Sequence, residues 1–595
     1  MRGFRRLGMK LTKRGTKLGI SVTMLAAWAV VAAAQDVAAG QEVVHAASRT
    51  EAGITSAAIT ENADAAAAAP AVPGSFDEVV DRMVEREHLL LAQMRNLRPL
   101  VETYVQDLKA DADGNPVPVH DQYFLGRLDL SEGPEDVSFL SQSGGRGPLG
   151  KLSDLFSLRF QPKGFAQMVV LDTDLYKKNY TFTYVRREFL GEVRCIVMDA
   201  QPIADAPPGR FEGRIWVEDQ GYNIVRFNGT YSGHPSNGFY LHFDSWRLNL
   251  HPGMWLPAYV YSEESDLDSG SGHFHVKAQT RLWGYDLKAA VKSRNEEFTQ
   301  IVVDSQIKDQ SGATADPSPV AAERMWEKQA EDNVVERLQN VGLLAPAGDV
   351  DAVLEAVVNN LVISNNLALQ SDVHCRVLIT APLESFTIGH TIVVSRGLLD
   401  VLPDEAALAM VLAHELSHIV LGHQFDAKLA FNDRMFFPDE QSFRRLDFKR
   451  RPADEDAADA KALELLKNSP YKEKLATAGL FLRALQQRAP DLPNLIRPHL
   501  GNSFAVGTNT RMEALLSSAP QLDAQRIDQI AALPLGGRIK LDPWSDQVEL
   551  AKAQPVTLAL SREKMPFEIT PFFPFLTRLA NDRGEKLVSA GSGSK

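Results

Sequence analysis

The spacing of apolar residues predicts an antiparallel β domain in the first half of the chain. Between residues 180 and 285, apolar and polar residues alternate in seven short segments, as expected of strands. Turn residues such as Asp219-Gln220-Gly221 separate neighbouring segments, so the strands should form a meander. The predicted strands cover residues 182–189, 192–200, 213–219, 223–231, 238–248, 256–264 and 273–285.

An amphipathic helix precedes these strands. The run Ser75-Phe76-Asp77-Glu78 has the form of a capping box, in which a serine and a glutamate satisfy the first N–H groups of a helix. Val79, Met83 and Leu90 then fall on or near one face. We therefore predict a helix plus antiparallel β domain over residues 75–307.

A different pattern marks the second half of the chain. Residues 406–425 (AALAMVLAHELSHIVLGHQF) consist of helix formers that are apolar on nearly all sides, and Pro403-Asp404-Glu405 provides a start signal. Such a helix should be buried. Its one charged side chain is Glu415, and burying a lone carboxylate costs several kcal/mol unless a partner compensates the charge.

The histidines around Glu415 supply such a partner in the form of a metal ion. His414 and His418 are four residues apart on one helix face, with about 5–6 Å between their Cβ atoms, which suits two imidazole ligands of one tetrahedral zinc. Glu415 points away from the metal and can reach a water beside it. We predict one Zn²⁺ per chain, with His423 off the ligand face in a supporting or structural role.

The third ligand must come from elsewhere, because Gln424 stands where the longer HExxHxxGxxH motif would place a third histidine. In a predicted helix start at residues 451–460, Glu455 and Asp459 lie four apart on one face, among alanines that allow close helix packing. Glu455 is the candidate ligand, with Asp459 behind it. The alternative is a solvated acidic first turn.

HELSHIVLGH, followed after some forty residues by EDAAD, resembles the gluzincin metallopeptidase family forty-eight, which includes HtpX, the CAAX prenyl proteases and the Oma-type mitochondrial proteases. Residues 391–399 (TIVVSRGLL) have the form of the family's active-site edge strand. The resemblance covers about residues 350–515. It implies that His414, His418 and Glu455 bind zinc, Glu415 is the general base and Asp459 orients a ligand.

Two departures from the family pattern concern substrate binding. Where the family usually has Asn-Ala-Phe-Ala, this chain has Glu384-Ser385-Phe386-Thr387, so we expect Ser385, Phe386 and Thr387 to bind substrate through the backbone with altered selectivity. The His-Pro element that commonly precedes a late arginine is missing from residues 504–510, although Arg511 stands where that arginine would fall. We therefore assign Arg511 a possible contact with the oxyanion.

The β domain carries a weaker resemblance. The helix followed by a meander, with GRIWVED (213–219) leading through a short turn into Ile224-Val225-Arg226, resembles the half-barrel of LolA lipoprotein carriers and RseB sensor domains. This resemblance implies a surface for lipoproteins, an acyl chain or an extended hydrophobic peptide. The alternative is an ordinary all-β accessory domain with a packed core.

Charge excludes one class of partner. The formal net charge is −13, and removing the seven cations of the acid-free first 34 residues leaves −20 for the rest of the chain. Such a surface repels phosphate backbones, so we expect no nucleic-acid partner. Only two cysteines, Cys195 and Cys375, are present, which excludes a cysteine-based metal site and leaves one disulfide open.

The first residues predict export. Residues 1–34 form a signal peptide, with a basic start, the apolar stretch 18–34 and small residues before Gln35; a retained membrane anchor is the alternative. No cysteine follows for lipid attachment. Since no later segment is long enough to span a membrane, we expect a periplasmic or secreted protein with peripheral membrane association at most.

Together these observations predict an α+β multidomain protein: a half-barrel-like β domain and a mainly helical metallopeptidase domain with a small edge-stranded sheet. The expected function is exported zinc endopeptidase activity on unfolded or misassembled envelope proteins; a periplasmic chaperone or client-binding protein with a latent protease site is the alternative. A purely structural zinc is disfavoured because such sites are usually rich in cysteine. The remaining segments are an Ala-rich disordered linker (35–74), a linker with a connecting helix (308–345), the peptidase domain (346–525) and a β/aromatic tail packing on the protease or bridging the domains (526–595).

Overall fold

The architecture is that of a computed structural model. The predicted signal peptide and all but the last two residues of the predicted Ala-rich linker lie outside the described residues. Among the residues described, no helix combines the length and the apolar character needed to cross a membrane. The structure describes residues 73–94, 96–110, 116–129, 135–138, 168–169, 171, 175–207, 209–232, 242–264, 276–285, 319–369, 371–423, 448–496, 500–501, 504–506, 509–519, 539–541, 548–550, 569 and 572–579.

The first half of the chain forms helix α1 and one ten-stranded antiparallel sheet in the order β3-β2-β1-β10-β9-β8-β7-β6-β5-β4. The predicted meander is confirmed as β4 to β10, and three further strands, which the alternation did not reveal, extend the sheet beyond β10. The elements are α1 (Phe76–Met94), β1 (Leu100–Ala110), β2 (Pro116–Asp129), β3 (Glu135–Ser138), β4 (Tyr180–Leu190), β5 (Val193–Pro202), β6 (Phe211–Glu218), β7 (Ile224–Tyr231), β8 (His242–His251), β9 (Met254–Glu264) and β10 (Val276–Trp283).

One face of this sheet packs against α1. The helix starts as predicted: the Ser75 hydroxyl accepts a hydrogen bond from the Glu78 N–H, and the Glu78 carboxylate accepts one from the Gly74 N–H. Its apolar face is buried, and its one buried acid, Glu87, pairs with Arg247 of β8 through two hydrogen bonds of 2.6 and 2.7 Å. Since both charges are buried, this pair fixes how the helix lies on the sheet.

The second half of the chain is mainly helical around a three-stranded sheet in the order β11-β13-β12. Strand β13 is parallel to β11 and antiparallel to β12, which leaves β12 at the edge. The α+β layout is therefore confirmed. The elements are α2 (Pro319–Val341), α3 (Asp349–Ser364), β11 (His374–Leu378), β12 (Ser385–Ile388), β13 (Thr391–Ser395), α4 (Arg396–Val401), α5 (Glu405–Val420), α6 (Pro452–Lys467), α7 (Leu475–Arg488), α8 (Pro493–Ile496), β14 (Ala505–Val506), β15 (Asn509–Thr510), α9 (Glu513–Ser518), β16 (Ile539–Leu541) and β17 (Val548–Leu550).

The two halves meet at the second face of the ten-stranded sheet. Buried Glu102 on β1 accepts hydrogen bonds from the Ala381 N–H (2.5 Å) and the Tyr123 hydroxyl (2.9 Å). Asp121 on β2 accepts the N–H groups of Asn494 and Leu495 in α8, at 3.0 and 2.7 Å. Polar side chains of the sheet thus satisfy backbone groups of the helical region, including the loop that leads into β12.

The described part of the predicted tail returns to the sheet. Ile569 donates its N–H to Gln106, the N–H of Glu192 donates to the Leu576 carbonyl, and Arg578 pairs with buried Glu218 at 2.5 Å. Strands β16 and β17 lie beside helices α4 and α3. The tail therefore contacts both halves of the chain, one of the two arrangements expected from its aromatic content. Cys195 and Cys375 are both buried and free.

Candidate active site

Helix α5 positions three of the predicted site residues. The Asp404 side chain caps it by accepting the Ala407 N–H at 2.9 Å, and residues 406, 407 and 409–418 are all buried. The predicted burial of this helix is thus observed. His414, Glu415 and His418 lie at its C-terminal half and face a pocket between α5, α6 and the edge strand β12.

Helix α6 brings the fourth predicted residue to the same place. The Nε2 atoms of His414 and His418 are 3.3 Å apart, and the two Glu455 carboxylate oxygens each lie 3.4 Å from one of them. One potential ligand atom from each of these three residues lies within 4.8 Å of the other two. Two imidazoles and a carboxylate, all buried, are a donor set that suits a metal ion, so these residues could hold one.

Asp459 lies one helical turn beyond Glu455 and supports the cluster. Its Oδ1 is 2.9 Å from His414 Nδ1, and its Oδ2 accepts the Met512 N–H at 3.1 Å. Burial alone would lower the pKa of His414, but the hydrogen bonds to Asp459 and Glu455 outweigh it and raise this pKa. With Nδ1 turned to Asp459, the Nε2 atom of His414 is the one that faces the pocket.

Arg511 lines the pocket beside Glu455, with its Nη2 atom 3.1 Å from Glu455 Oε2. Burial would raise the pKa of Glu455, but hydrogen bonds to His414 and His418 and the charge of Arg511 hold this pKa well below its usual range. Glu455 is therefore ionised, as a metal ligand must be. The alternative of a solvated acidic turn does not describe Glu455, which is only 2% exposed.

Glu415 points towards the edge strand rather than towards Glu455. The Ser385 hydroxyl donates to Glu415 Oε1 at 2.7 Å, and the Thr387 hydroxyl donates to Oε2 at 2.6 Å. The carboxylate is only 4% exposed. The two hydroxyls therefore offset part of the cost of burying this charge.

Three residues that line the pocket, Phe448, Arg450 and Phe504, were not anticipated. Arg450 donates to the His423 carbonyl at 2.6 Å and to the Thr387 carbonyl at 2.9 Å, and neighbouring Phe448 stacks on Phe386 with 4.4 Å between ring centres. Nothing in the basic run KRR (449–451) distinguishes Arg450. The lining residues are Ser385, Phe386, Thr387, His414, Glu415, His418, Phe448, Arg450, Glu455, Phe504 and Arg511.

His423 follows the helix and touches the cluster from the side. Its Nδ1 is 2.9 Å from His418 Nδ1, so a proton shared between these atoms leaves His418 Nε2 facing Glu455. Burial and the neighbouring His418 lower the pKa of His423. His423 thus lies beside the cluster, and its supporting role stays a prediction.

Comparison with known proteins bears on both halves. Residues 349–433 match peptidase family M48, a stretch that includes α3, the small sheet and the HExxH helix but ends before Glu455. No curated protein matches the chain.

Among solved structures, a LolA superfamily protein from Nitrosomonas europaea is 11% identical, with a TM-score of 0.18, over 36% of this chain and 93% of that one. A MucA/MucB complex structure from Pseudomonas aeruginosa is 10% identical, with a TM-score of 0.11, over 36% of this chain and 95% of that one. The match to peptidase family M48 confirms that this chain carries a region of that metallopeptidase family, as its motifs predicted.

Proposed function

We propose that the protein is an exported zinc-dependent endopeptidase that cuts unfolded or misassembled envelope proteins. The observation that carries this proposal is the convergence of His414, His418 and Glu455 beside Glu415 in one open pocket, within and next to the stretch that matches peptidase family M48. We also propose the domain limits 75–307 and 346–525 for the two halves. Export follows from the predicted signal peptide at residues 1–34.

The residues divide the chemistry among them. His414 and His418 would hold zinc through Nε2 and Glu455 through its carboxylate, while Asp459 keeps His414 in the tautomer this requires. A bound zinc ion lowers the pKa of water and polarises a carbonyl oxygen. Glu415 accepts the proton of the attacking water on its carboxylate and passes it to the leaving amine. Arg511, which lines the same pocket, would contact the developing negative charge.

Substrate binds along the edge strand in this proposal. Among the described residues, strand β12 pairs with β13 on one side only, and its other edge, although buried in this structure, would pair with an extended peptide beside the pocket. Such pairing recognises main chain more than side chains, which favours unfolded proteins over folded ones. The ten-stranded sheet would bring clients or lipoproteins to the pocket, as a hydrophobic ligand or peptide surface.

The test compares three forms of the full chain: wild type, Glu415→Gln and a Glu464→Gln control on the exposed side of α6. Metal content and cleavage of casein are measured for each. We expect about one zinc per chain in all three, with cleavage by wild type and control and a loss of at least about 10³-fold in Glu415→Gln. Equal cleavage by all three would remove Glu415 from the mechanism.

One observation favours the alternative of a client-binding protein with a latent site. Arg450 already bonds the Thr387 carbonyl, one of the groups that a pairing substrate would need, and Phe448 covers Phe386. Latency predicts that wild type binds zinc and unfolded casein without cutting it, while Arg450→Ala cuts. If neither wild type nor Arg450→Ala cuts any unfolded client, only the client-binding function remains supported.

A further inference from the structure

We infer that Ser385 and Thr387 are positioning residues that hold Glu415 in place and link it to the strand that receives substrate. This inference rests on the proposed function and deepens it. The sequence assigned both residues to substrate binding through their backbone. The structure adds a task for their side chains, at two positions where the family pattern usually has alanine.

The contact is a two-point clamp on one carboxylate. Ser385 and Thr387 are two apart on β12, so their side chains emerge on the same face of the strand, towards α5. Each hydroxyl donates to a different oxygen of Glu415, at 2.7 and 2.6 Å. All three side chains are buried, with 2–4% of each residue exposed. Two donors at fixed spacing determine the plane of the carboxylate, which one donor alone would leave free to rotate.

The main-chain groups of the same two residues face the edge of β12 that lies away from β13. The Ser395 N–H donates to the Glu384 carbonyl, so residue 384 directs its main-chain groups to β13. In an antiparallel pair this direction alternates, which turns the main-chain groups of Ser385 and Thr387 outwards. The Thr387 carbonyl indeed meets Arg450 from outside, at 2.9 Å.

A peptide that pairs with β12 would therefore bond the same residues whose hydroxyls hold Glu415. Pairing fixes the backbone at residues 385 and 387. Because only one rotatable bond separates each hydroxyl from the backbone, pairing also fixes the two hydroxyls that hold the carboxylate. Part of the energy of peptide binding to β12 is thus used to hold the base, Glu415, in its reactive position. The expected signature is an effect on kcat with little effect on KM.

The first experiment measures kcat, KM and zinc content for the full chain carrying Thr387→Val, Thr387→Ser or Ser385→Ala. Removing one hydrogen bond to a charged group should lower kcat about 10-fold in Thr387→Val and in Ser385→Ala, with KM within about 3-fold. Thr387→Ser keeps the hydroxyl and should retain most of kcat. Ser417→Ala is the matched control, because in the described part of the chain that buried hydroxyl bonds only the Ala413 carbonyl of its own helix, so its loss should leave kcat unchanged.

Wild-type kcat in both Thr387→Val and Ser385→Ala would overturn the inference, as would a loss that Thr387→Ser shares. A rise in kcat would also overturn it, since the hydroxyls would then restrain Glu415 instead of positioning it. These outcomes need a wild type that cuts, so they leave the proposed function intact.

A second measurement does not depend on activity. In metal-free protein, Thr387→Val should lower the midpoint of thermal unfolding by about 2–4 °C, and by less than half as much in a Glu415→Ala background, because the carboxylate that the hydroxyl serves is gone. Equal shifts in both backgrounds would contradict the clamp. Unequal shifts in a protein that never cuts would preserve the clamp and reject the peptidase function.

Discussion

One cluster of buried charge lies in the pocket, and another lies where the helical half contacts the ten-stranded sheet. Each contains a buried carboxylate, and the two differ in the groups that surround it. In the pocket, Glu455 lies 3.4 Å from two imidazole nitrogens that can turn lone pairs towards a cation. At the interface, Glu102 meets the Ala381 N–H, the Tyr123 hydroxyl and the guanidinium of Arg281 at 3.8 Å.

The partners of Glu102 are two hydrogen-bond donors and a cation, and none of these groups can serve as a second ligand of a metal ion. Burial raises the pKa of Glu102, and burial also lowers the pKa of nearby Arg396 to about 10. Strongly perturbed charge therefore occurs at both places. The comparison teaches that an acid marks a metal site only when its neighbours are themselves able to bind the metal.

The largest expected effect tests the pocket side of this comparison. Glu455→Ala removes the carboxylate from the cluster and should cost nearly all bound zinc and at least about 10³-fold in peptide cleavage. Metal analysis and a casein assay measure both. The control is Glu464→Ala, an exposed acid on the same helix that pairs only with Lys461 in the part of the chain described. If Glu455→Ala kept its full zinc content, the third zinc ligand would have to be a residue other than Glu455.

Removing the buried acid at the interface should instead lower the stability of the protein. Glu102→Ala leaves Arg281 buried without its carboxylate, which typically costs about 3–5 kcal/mol, and it frees the Ala381 N–H ahead of the edge strand. Calorimetry should show a lower unfolding temperature, with zinc content unchanged. Exposed Glu212 on β6 provides the control substitution, Glu212→Ala. If Glu102→Ala also lost its zinc, the two clusters would not be separate.

The smallest effect concerns pH. Burial, helped by the charge of Asp121, raises the pKa of Asp107 from 3.8 to about 7. The native state therefore holds a proton that the unfolded chain releases, and stability falls as the pH rises from about 4 to 7. Asp107→Asn should remove this loss and stabilise the protein by the order of 1–2 kcal/mol at pH 8, with no gain at pH 4. Urea unfolding at both pH values measures it; an equal gain at both would exclude titration of Asp107 as the cause.

How much of this fold the sequence predicted depends on what each strand buries. Strands β4 to β10 follow the alternation closely enough to be placed within a few residues. Strand β1 was missed because it buries polar residues on both faces: Glu102 and Gln106 on one and Thr103 on the other. Each has a partner distant in sequence, so no local pattern could reveal that its burial was tolerated.

The site divides in the same way. Helical spacing brought out His414, Glu415 and His418, because helical geometry fixes which residues share a face. Glu455 lies on another helix, and its selection over a solvated acidic turn depended on the resemblance to the metallopeptidase family. Arg450 could not be found, since its place depends on how the chain returns after α5. The hydroxyls on β12 were at the predicted place, but their direction depends on strand register, which only the pairing with β13 defines.

The segment 572–579 makes the β domain discontinuous along the chain, and this has a consequence for biosynthesis. Phe572 packs edge-on against Tyr259 and Phe573 against Trp246, on strands that are translated some 300 residues earlier. That aromatic surface stays uncovered while the whole peptidase region is being made. The nascent chain therefore carries an incomplete first domain until residues 572–579 have been made, and during that interval the uncovered aromatic surface is exposed to aggregation.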